Sequence, residues 1–291
     1  GRDFFRTIKS YFSAELLNQK DTNGLFEKNG MIFKMEYPLN KNNVIRTAEK
    51  IDNICSKYLQ NMNVHYAIIP DKNYYLENDD HLKIDYNKLK QIFNENLENI
   101  NYIDIWNELE LEDYYKTDAH WRQENLSKVV NKIKKEMNIK NIEEIEYEKI
   151  DEGDFYGGYY GQLGKYMSPD KLYILTNETI KNCKTYNYET EEYGKIYSKP
   201  KTSDKYDTFL DGATPIIKIE NPNLKQNKEL LLFRDSYGSS IAPLLVENYK
   251  KITLIDVRYI SSDLLAKYIE FRKQDVLFLY STLVINQNIL K

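Results

Sequence analysis

The 291-residue chain is poor in the residues that build staples and metal centres, with two cysteines, Cys55 and Cys183, and three histidines, His65, His81 and His120. Two cysteines are too few for a disulfide framework or a structural zinc site, and one Cys55–Cys183 bridge has nothing in the sequence to support it. Cys55 falls in an apolar helical stripe with Ile51, Ile54, Tyr58 and Leu59, where it reads as a small hydrophobe. Zinc takes three or four protein ligands, and three scattered histidines do not supply them. No apolar run approaches the roughly 20 residues that cross a bilayer. No signal-peptide pattern is present either, although a chain that begins at Gly1 rather than Met leaves its location open. Charge of one sign is also lacking: 41 Lys and Arg stand against 45 Asp and Glu, a net −4, which is not the electrostatic footprint of a nucleic-acid binder.

What is present describes a globular chain. Hydrophobic residues make up 41% and charged residues 30%, so global disorder is excluded. The length allows one large domain or two small ones, and a single α/β domain of this size buries about 75% of its unfolded surface. The 26 tyrosines, among many Asn, Lys and Ile, fit a carbohydrate-facing surface. They fit equally a compositional bias of the coding DNA, which is the simpler reading.

The hydrophobic pattern alternates between two periods. Residues 4–18 read as an amphipathic helix, and 24–34 as a hairpin, because Asn29-Gly30 supplies the two positive φ values of a type I′ turn. Helical stripes follow at 43–61, 85–98 and 122–137, separated by strands at 64–69 and 102–106. The stretch 151–165 is rich in Gly and Tyr, and 171–224 reads as short strands and turns. Strand and helix then alternate again: strands at 229–233, 252–255 and 276–280, helices at 238–249 and 261–271. Several strands are near-continuous apolar runs, as in sheets covered on both faces. Five strands separated by helical patterns imply a doubly wound, mostly parallel α/β sheet. The expectation is one domain over 1–291, with an N-terminal helix-hairpin extension over 1–40 and an inserted strand-rich segment over 150–225.

In such sheets ligands bind beyond the carboxyl ends of the strands. Beyond the strand at 229–233 lies Arg234-Asp235-Ser236-Tyr237-Gly238-Ser239-Ser240. A serine between a buried strand and a helix start presents its Oγ at the sheet edge, near N–H groups that stabilise negative charge. The alternative is that Ser236 or Ser239 merely caps the helix. The second candidate is Tyr115-Lys-Thr-Asp118-Ala-His120-Trp121. Serine attack on a carbonyl needs a base of near-neutral pKa, and that base needs an acceptor on its other nitrogen. His120 and Asp118 supply both, unless Asp118 or Thr117 caps the following helix and His120 is an ordinary first-turn residue. Together the two segments hold the parts of an acyl-transfer triad, whose chain order is free.

Asp118-x-His120-Trp121 followed by Asp235-Ser236-Tyr237 resembles the DHHW / alginate O-acetyltransferase-like group of SGNH-hydrolase-fold proteins. Softer points of likeness are Arg2-Asp3-Phe4-Phe5, the Asn-Gly hairpin, Ile69-Pro70-Asp-Lys72, Phe155-Tyr-Gly157-Gly158 and Ile255-Asp256-Val-Arg258-Tyr259, so the resemblance runs along nearly the whole chain. Ordinary SGNH hydrolases carry the serine motif first and the Asp-x-x-His motif last, and this group resembles a circular permutation of that order. The sequence departs from the pattern twice. Ala119 stands where the family name implies a first histidine, and Arg234 where a glycine often precedes Asp-Ser.

The resemblance implies a serine-dependent O-acetyltransferase of an extracellular or cell-surface polysaccharide, with Ser236 as nucleophile, His120 as base and Asp118 as orienter. A carbohydrate acetylesterase with the same triad, or a catalytically weak glycan-binding or assembly protein on the same scaffold, are the alternatives. Gly157 or Gly158 is the candidate second oxyanion donor beside the Ser236 N–H, or simply a turn residue. Arg258 is a candidate substrate ligand, or a structural partner of Asp256 or Asp235. Tyr159, Tyr160 and Trp121 are candidates to stack on sugar rings, Trp121 reading better as packing under the His120 loop. The mechanism calls for no cofactor and no metal. The resemblance further implies an acetyl donor supplied by a membrane-bound acyltransferase, no nucleic-acid partner, and an extracytoplasmic location with an anchor outside this sequence.

Overall fold

A computed structural model describes residues 24–76, 81–97, 99–139, 145–163 and 166–291. The helix read over 4–18 and the Arg2-Asp3-Phe4-Phe5 stretch lie outside the described residues. The hairpin forms as expected. Strands β1 (Leu25–Lys28) and β2 (Met31–Lys34) pair antiparallel across Asn29, at φ 52°, and Gly30, at φ 75°.

The main sheet has eight strands among the described residues. In spatial order they are β4 (Asn101–Tyr102), β3 (Asn63–Ile69), β12 (Asp275–Ser281), β10 (Glu229–Arg234), β11 (Lys251–Ile255), β9 (Ile216–Glu220), β7 (Lys184–Asn187) and β8 (Glu192–Gly194). The pairs from β4 to β11 are parallel. Those from β11 to β8 are antiparallel. The five parallel strands are the five legible in the hydrophobic pattern. Each residue of β10 is buried, the signature of a strand covered on both faces.

Helix α1 (Lys41–Tyr58) starts at Asn40, whose side chain accepts from the Asn43 N–H at 3.1 Å, and buries Val44, Ala48, Ile51 and Ile54. Helix α2 (Tyr86–Glu95) is capped in the same way by Asp85. The stripe at 122–137 divides into a 3-10 turn, Gln123–Asn125, and α3 (Ser127–Glu136).

Two expected helices are much shorter than their apolar stripes. At 238–249 only α6 (Gly238–Ile241) is α-helical, and it passes into a 3-10 turn at Ala242–Leu245, where Pro243 has no N–H to give. At 261–271 only the 3-10 turn Ser262–Lys267 forms. The strand read at 102–106 is the two-residue β4. A short terminal helix, α7 (Thr282–Gln287), follows β12.

The 150–225 segment divides. Strands β5 (Glu148–Phe155) and β6 (Asp170–Thr176) form a separate antiparallel pair, joined through α4 (Gly158–Leu163). They rest on a small core of Tyr115, Phe155, Leu172, Ile174, Tyr206 and Phe209. Helix α5 (Glu178–Asn182) then leads into β7. Strands β7, β8 and β9 extend the main sheet rather than standing apart from it, so only the β5–β6 part is a layer of its own. The carboxyl ends of the parallel strands β3, β10, β11 and β12 share one edge, which is where Pro70, Asp235, Asp256 and Ser281 emerge.

Candidate active site

The turn after β10 is held from below. Asp235 is 1% exposed. One of its carboxylate oxygens accepts from the Tyr237 N–H at 3.1 Å and the other from the Ser281 N–H at 2.8 Å, tying the turn to the end of β12. Gly238 opens α6 because a Cβ there would lie 2.5 Å from the Arg234 Cβ. Ser236 thus projects from a turn fixed on both sides. Its own N–H has no hydrogen-bond partner among the described residues.

The Asp118-x-His120 loop is held by residues from two distant segments. Asp170, at the start of β6, accepts from the Lys116 N–H at 3.0 Å and the Arg122 Nη2 at 2.5 Å with one oxygen. With the other it accepts from the Thr117 N–H at 2.8 Å and the Thr117 hydroxyl at 2.7 Å. Lys72, just beyond β3, donates its Nζ protons to the carbonyls of Tyr115 and Asp118, both at 2.8 Å. Burial pushes the Lys72 ammonium down to about 7, against the opposing pull of Asp118 and Asp170.

These two turns meet. The Asp118 Oδ1 lies 2.5 Å from the His120 Nδ1, and the His120 Nε2 lies 2.7 Å from the Ser236 Oγ. Asp118 Oδ1 also accepts from the His120 N–H at 3.0 Å, and Oδ2 from the Gly158 N–H at 2.7 Å. Burial opposes charge on Asp118. The attraction of His120 and the donors from His120 and Gly158 outweigh it, so the carboxyl is held well below the usual range. The imidazole lies parallel to the Tyr206 ring, with centroids 3.9 Å apart and planes at 13°. Tyr237 flanks it at 4.7 Å, and its hydroxyl donates to the Ala119 carbonyl at 2.7 Å.

The other residues singled out from the sequence fall differently. Gly157 and Gly158 are not oxyanion donors: the Gly157 N–H is taken by the Thr117 hydroxyl at 3.0 Å and the Gly158 N–H by Asp118. Gly157 is needed for close approach all the same, since a Cβ there would lie 2.2 Å from the Asp118 Cβ. Trp121 does not face a sugar, because it is 0% exposed and donates its indole N–H to the Ser240 hydroxyl at 2.9 Å. Tyr160 packs against Tyr156, away from the cavity at Ser236, whereas Tyr159 lines it. Arg258 is held by Asp256 through its Nε at 2.9 Å and Nη2 at 2.7 Å, yet it also lines the cavity. Cys55 and Cys183 are free thiols and form no bridge.

The cavity at Ser236 has a volume of about 190 Å³. Ser236, His120, Tyr237 and Arg258 line it together with Glu36 and Asp71. Burial and the neighbouring Asp71 push the Glu36 carboxyl up to about 8. Among the described residues, no group of three or more His, Cys, Asp and Glu side chains is placed to hold a metal ion. No described helix is long and apolar enough to cross a membrane. Lys72, Asp170 and Tyr206 carry no motif that marks their roles in the sequence. They reach the loop through the topology, and of the three only Lys72 falls in a stretch of family likeness, Ile69-Pro70-Asp-Lys72.

The chain is a mixed α/β protein with a large, mostly parallel sheet, and the two turns that meet lie at the carboxyl ends of its parallel strands. The chain belongs to the DHHW protein family, whose model matches residues 54–255. A DHHW family protein from Eubacterium siraeum is similar with a TM-score of 0.76 and 21% identity, over 92% of this chain and 95% of that one. Bacillus cereus PatB1 gives 0.69 and 19%, over 92% and 97%. The O-acetyltransferase domain of Pseudomonas putida AlgJ gives 0.56 and 11%, over 90% and 92%. At these identities the likeness is one of fold. No curated relative matches the sequence.

Proposed function

We propose that this protein is a serine-dependent O-acetyltransferase that modifies a polysaccharide outside the cytoplasm through an acyl-enzyme. The observation that carries the reading is the continuous hydrogen-bonded chain from Asp118 through His120 to Ser236. Ser236 Oγ attacks the acetyl carbonyl while the His120 Nε2 takes its proton, and ionised Asp118 holds the opposite N–H and supports the imidazolium. The free Ser236 N–H faces the developing oxyanion, and the cavity-lining Arg258 adds positive charge beside it. The protonated His120 then gives its proton to the leaving group. It next accepts one from a sugar hydroxyl as that oxygen attacks the acyl-enzyme, and passes it to the Ser236 Oγ as the ester bond breaks. Asp118 and His120 precede Ser236, in keeping with a circular permutation of the usual SGNH order. A fold shared with an AlgJ domain described as an O-acetyltransferase supports the reaction class. A membrane-bound acyltransferase as source of the acetyl group belongs to the same reading.

The test is turnover of an activated acetyl ester with and without an oligosaccharide acceptor. Wild type should transfer acetyl to the sugar, and Ser236→Ala and His120→Ala should each lower kcat/KM by about 10³-fold or more. Release of free acetate with no acetylated sugar would make it an esterase. Unchanged turnover in His120→Ala would remove that residue from the base role.

A further inference from the structure

Tyr206 lies outside both motifs, yet its ring covers one face of the His120 imidazole at 3.9 Å and 13°. It is itself fixed. The ring is 4% exposed and packs on Phe209, with centroids 5.0 Å apart. Its N–H is capped by the Asp204 carboxylate at 2.9 Å, and its hydroxyl meets the Ser240 Oγ at 2.9 Å. Ser240 belongs to α6, the helix that Ser236 leads into, and its Oγ also accepts the Trp121 indole N–H at 2.9 Å. The contacts close a ring: Ser236 to α6, Ser240 to Tyr206, Tyr206 to His120, and His120 back to Ser236.

We propose that Tyr206 is a positioning residue whose ring holds the plane of the His120 base toward Ser236. The proposal rests on the reading of His120 as general base. Two in-plane hydrogen bonds, to Asp118 and Ser236, fix the imidazole's direction but leave it free to rock about their common line. A parallel ring at van der Waals distance removes that freedom. The negative face of the tyrosine ring also favours the imidazolium that forms when Ser236 gives up its proton. No bond forms or breaks at Tyr206, so it acts on kcat rather than on substrate binding. On this account the 171–224 segment contributes to the site through Tyr206, from the 3-10 turn Lys205–Thr208.

The experiment compares full-length wild type, Tyr206→Phe and Tyr206→Leu on an activated acetyl ester. Tyr206→Phe keeps the ring and should stay within about threefold of wild type, whereas Tyr206→Leu should lose about 10–100-fold in kcat with KM changed less than about twofold. Because the chain has three histidines, the imidazole C–H resonances are readily assigned, with His120→Ala marking that of His120. Loss of the stacked ring should move the His120 resonance downfield in Tyr206→Leu and leave it in place in Tyr206→Phe. A folded Tyr206→Leu with wild-type kcat, or with an unmoved His120 resonance, overturns the positioning role alone. A wild type that neither turns over the ester nor acylates Ser236 overturns it together with the functional reading.

Discussion

Asp118 carries three donors on two oxygens, from the His120 ring, the His120 N–H and the Gly158 N–H. An amide at this position fills the same space but has one acceptor oxygen, so its NH2 must face either the two His120 nitrogens or the Gly158 N–H. Asp118→Asn should therefore fold normally, while kcat falls by about 10³–10⁴-fold. Steady-state kinetics with an activated acetyl ester checks this, and a loss below tenfold would contradict it. Glu36 gives a prediction about stability. Burial and Asp71 raise its carboxyl from 4.5 to about 8, so between those pH values the folded state keeps a proton that the unfolded chain gives up. Stability contributed by this group therefore falls as pH rises through that window, by about 1.4 kcal/mol for each unit of displacement. In Glu36→Gln the contribution disappears. Thermal unfolding from pH 5 to 9 should show a flatter curve for the variant, which overtakes wild type toward pH 8. Parallel curves would show that Glu36 does not titrate in this range. At this scale the sequence was informative where chemistry sits in a short motif, as at Asp118-x-His120 and Asp235-Ser236-Tyr237. It was silent on the roles of Lys72 and Asp170, which reach the loop from 43 and 53 residues away by contacts that no spacing rule predicts.

The elements show which signals survive folding. Strands β3, β10, β11 and β12 were legible because a strand buried on both faces is a continuous apolar run. The β1–β2 hairpin was legible because Asn29-Gly30 meets the backbone demand of its turn. The helices read at 238–249 and 261–271 were over-long. Residues 238–245 are buried throughout, so their apolar character reports burial and not a helical face, and Pro243 interrupts the ladder. The glycines at 157 and 158 gave a true signal with a mistaken object: the backbone does come close to something, namely Asp118 and not substrate. That difference is testable. In Gly157→Ala the new methyl would meet the Asp118 Cβ and the Thr117 carbonyl. Displacing the loop should cost about 1–3 kcal/mol of stability and lower kcat by about tenfold or more. A methyl at Gly161, in the neighbouring helix α4, would meet nothing within 4 Å beyond its own helix, so Gly161→Ala should keep wild-type kcat. Equal behaviour of the two variants in melting and turnover would contradict the account of the loop.

Across the whole molecule, the sheet brings together two turns that lie 116 residues apart in the chain. Parallel order puts the ends of β3, β10, β11 and β12 at one edge, and the β5–β6 layer with its small core supports the Asp118 loop from outside. Strands β7 to β9, read from sequence as part of an insertion, lengthen the sheet because β9 pairs with β11 and carries β7 and β8 beyond it. Short, half-polar strands carry too little pattern for that pairing to be read in advance. The central claim is that Ser236 is an activated nucleophile, and covalent labelling tests it most directly. Wild type treated with an excess of a sulfonyl fluoride should gain one adduct, which peptide mass spectrometry places on Ser236. Ser236→Ala should gain none, and His120→Ala should react at least about a hundredfold more slowly. An unlabelled Ser236 in folded wild type, or equal labelling rates with and without His120, would contradict the account.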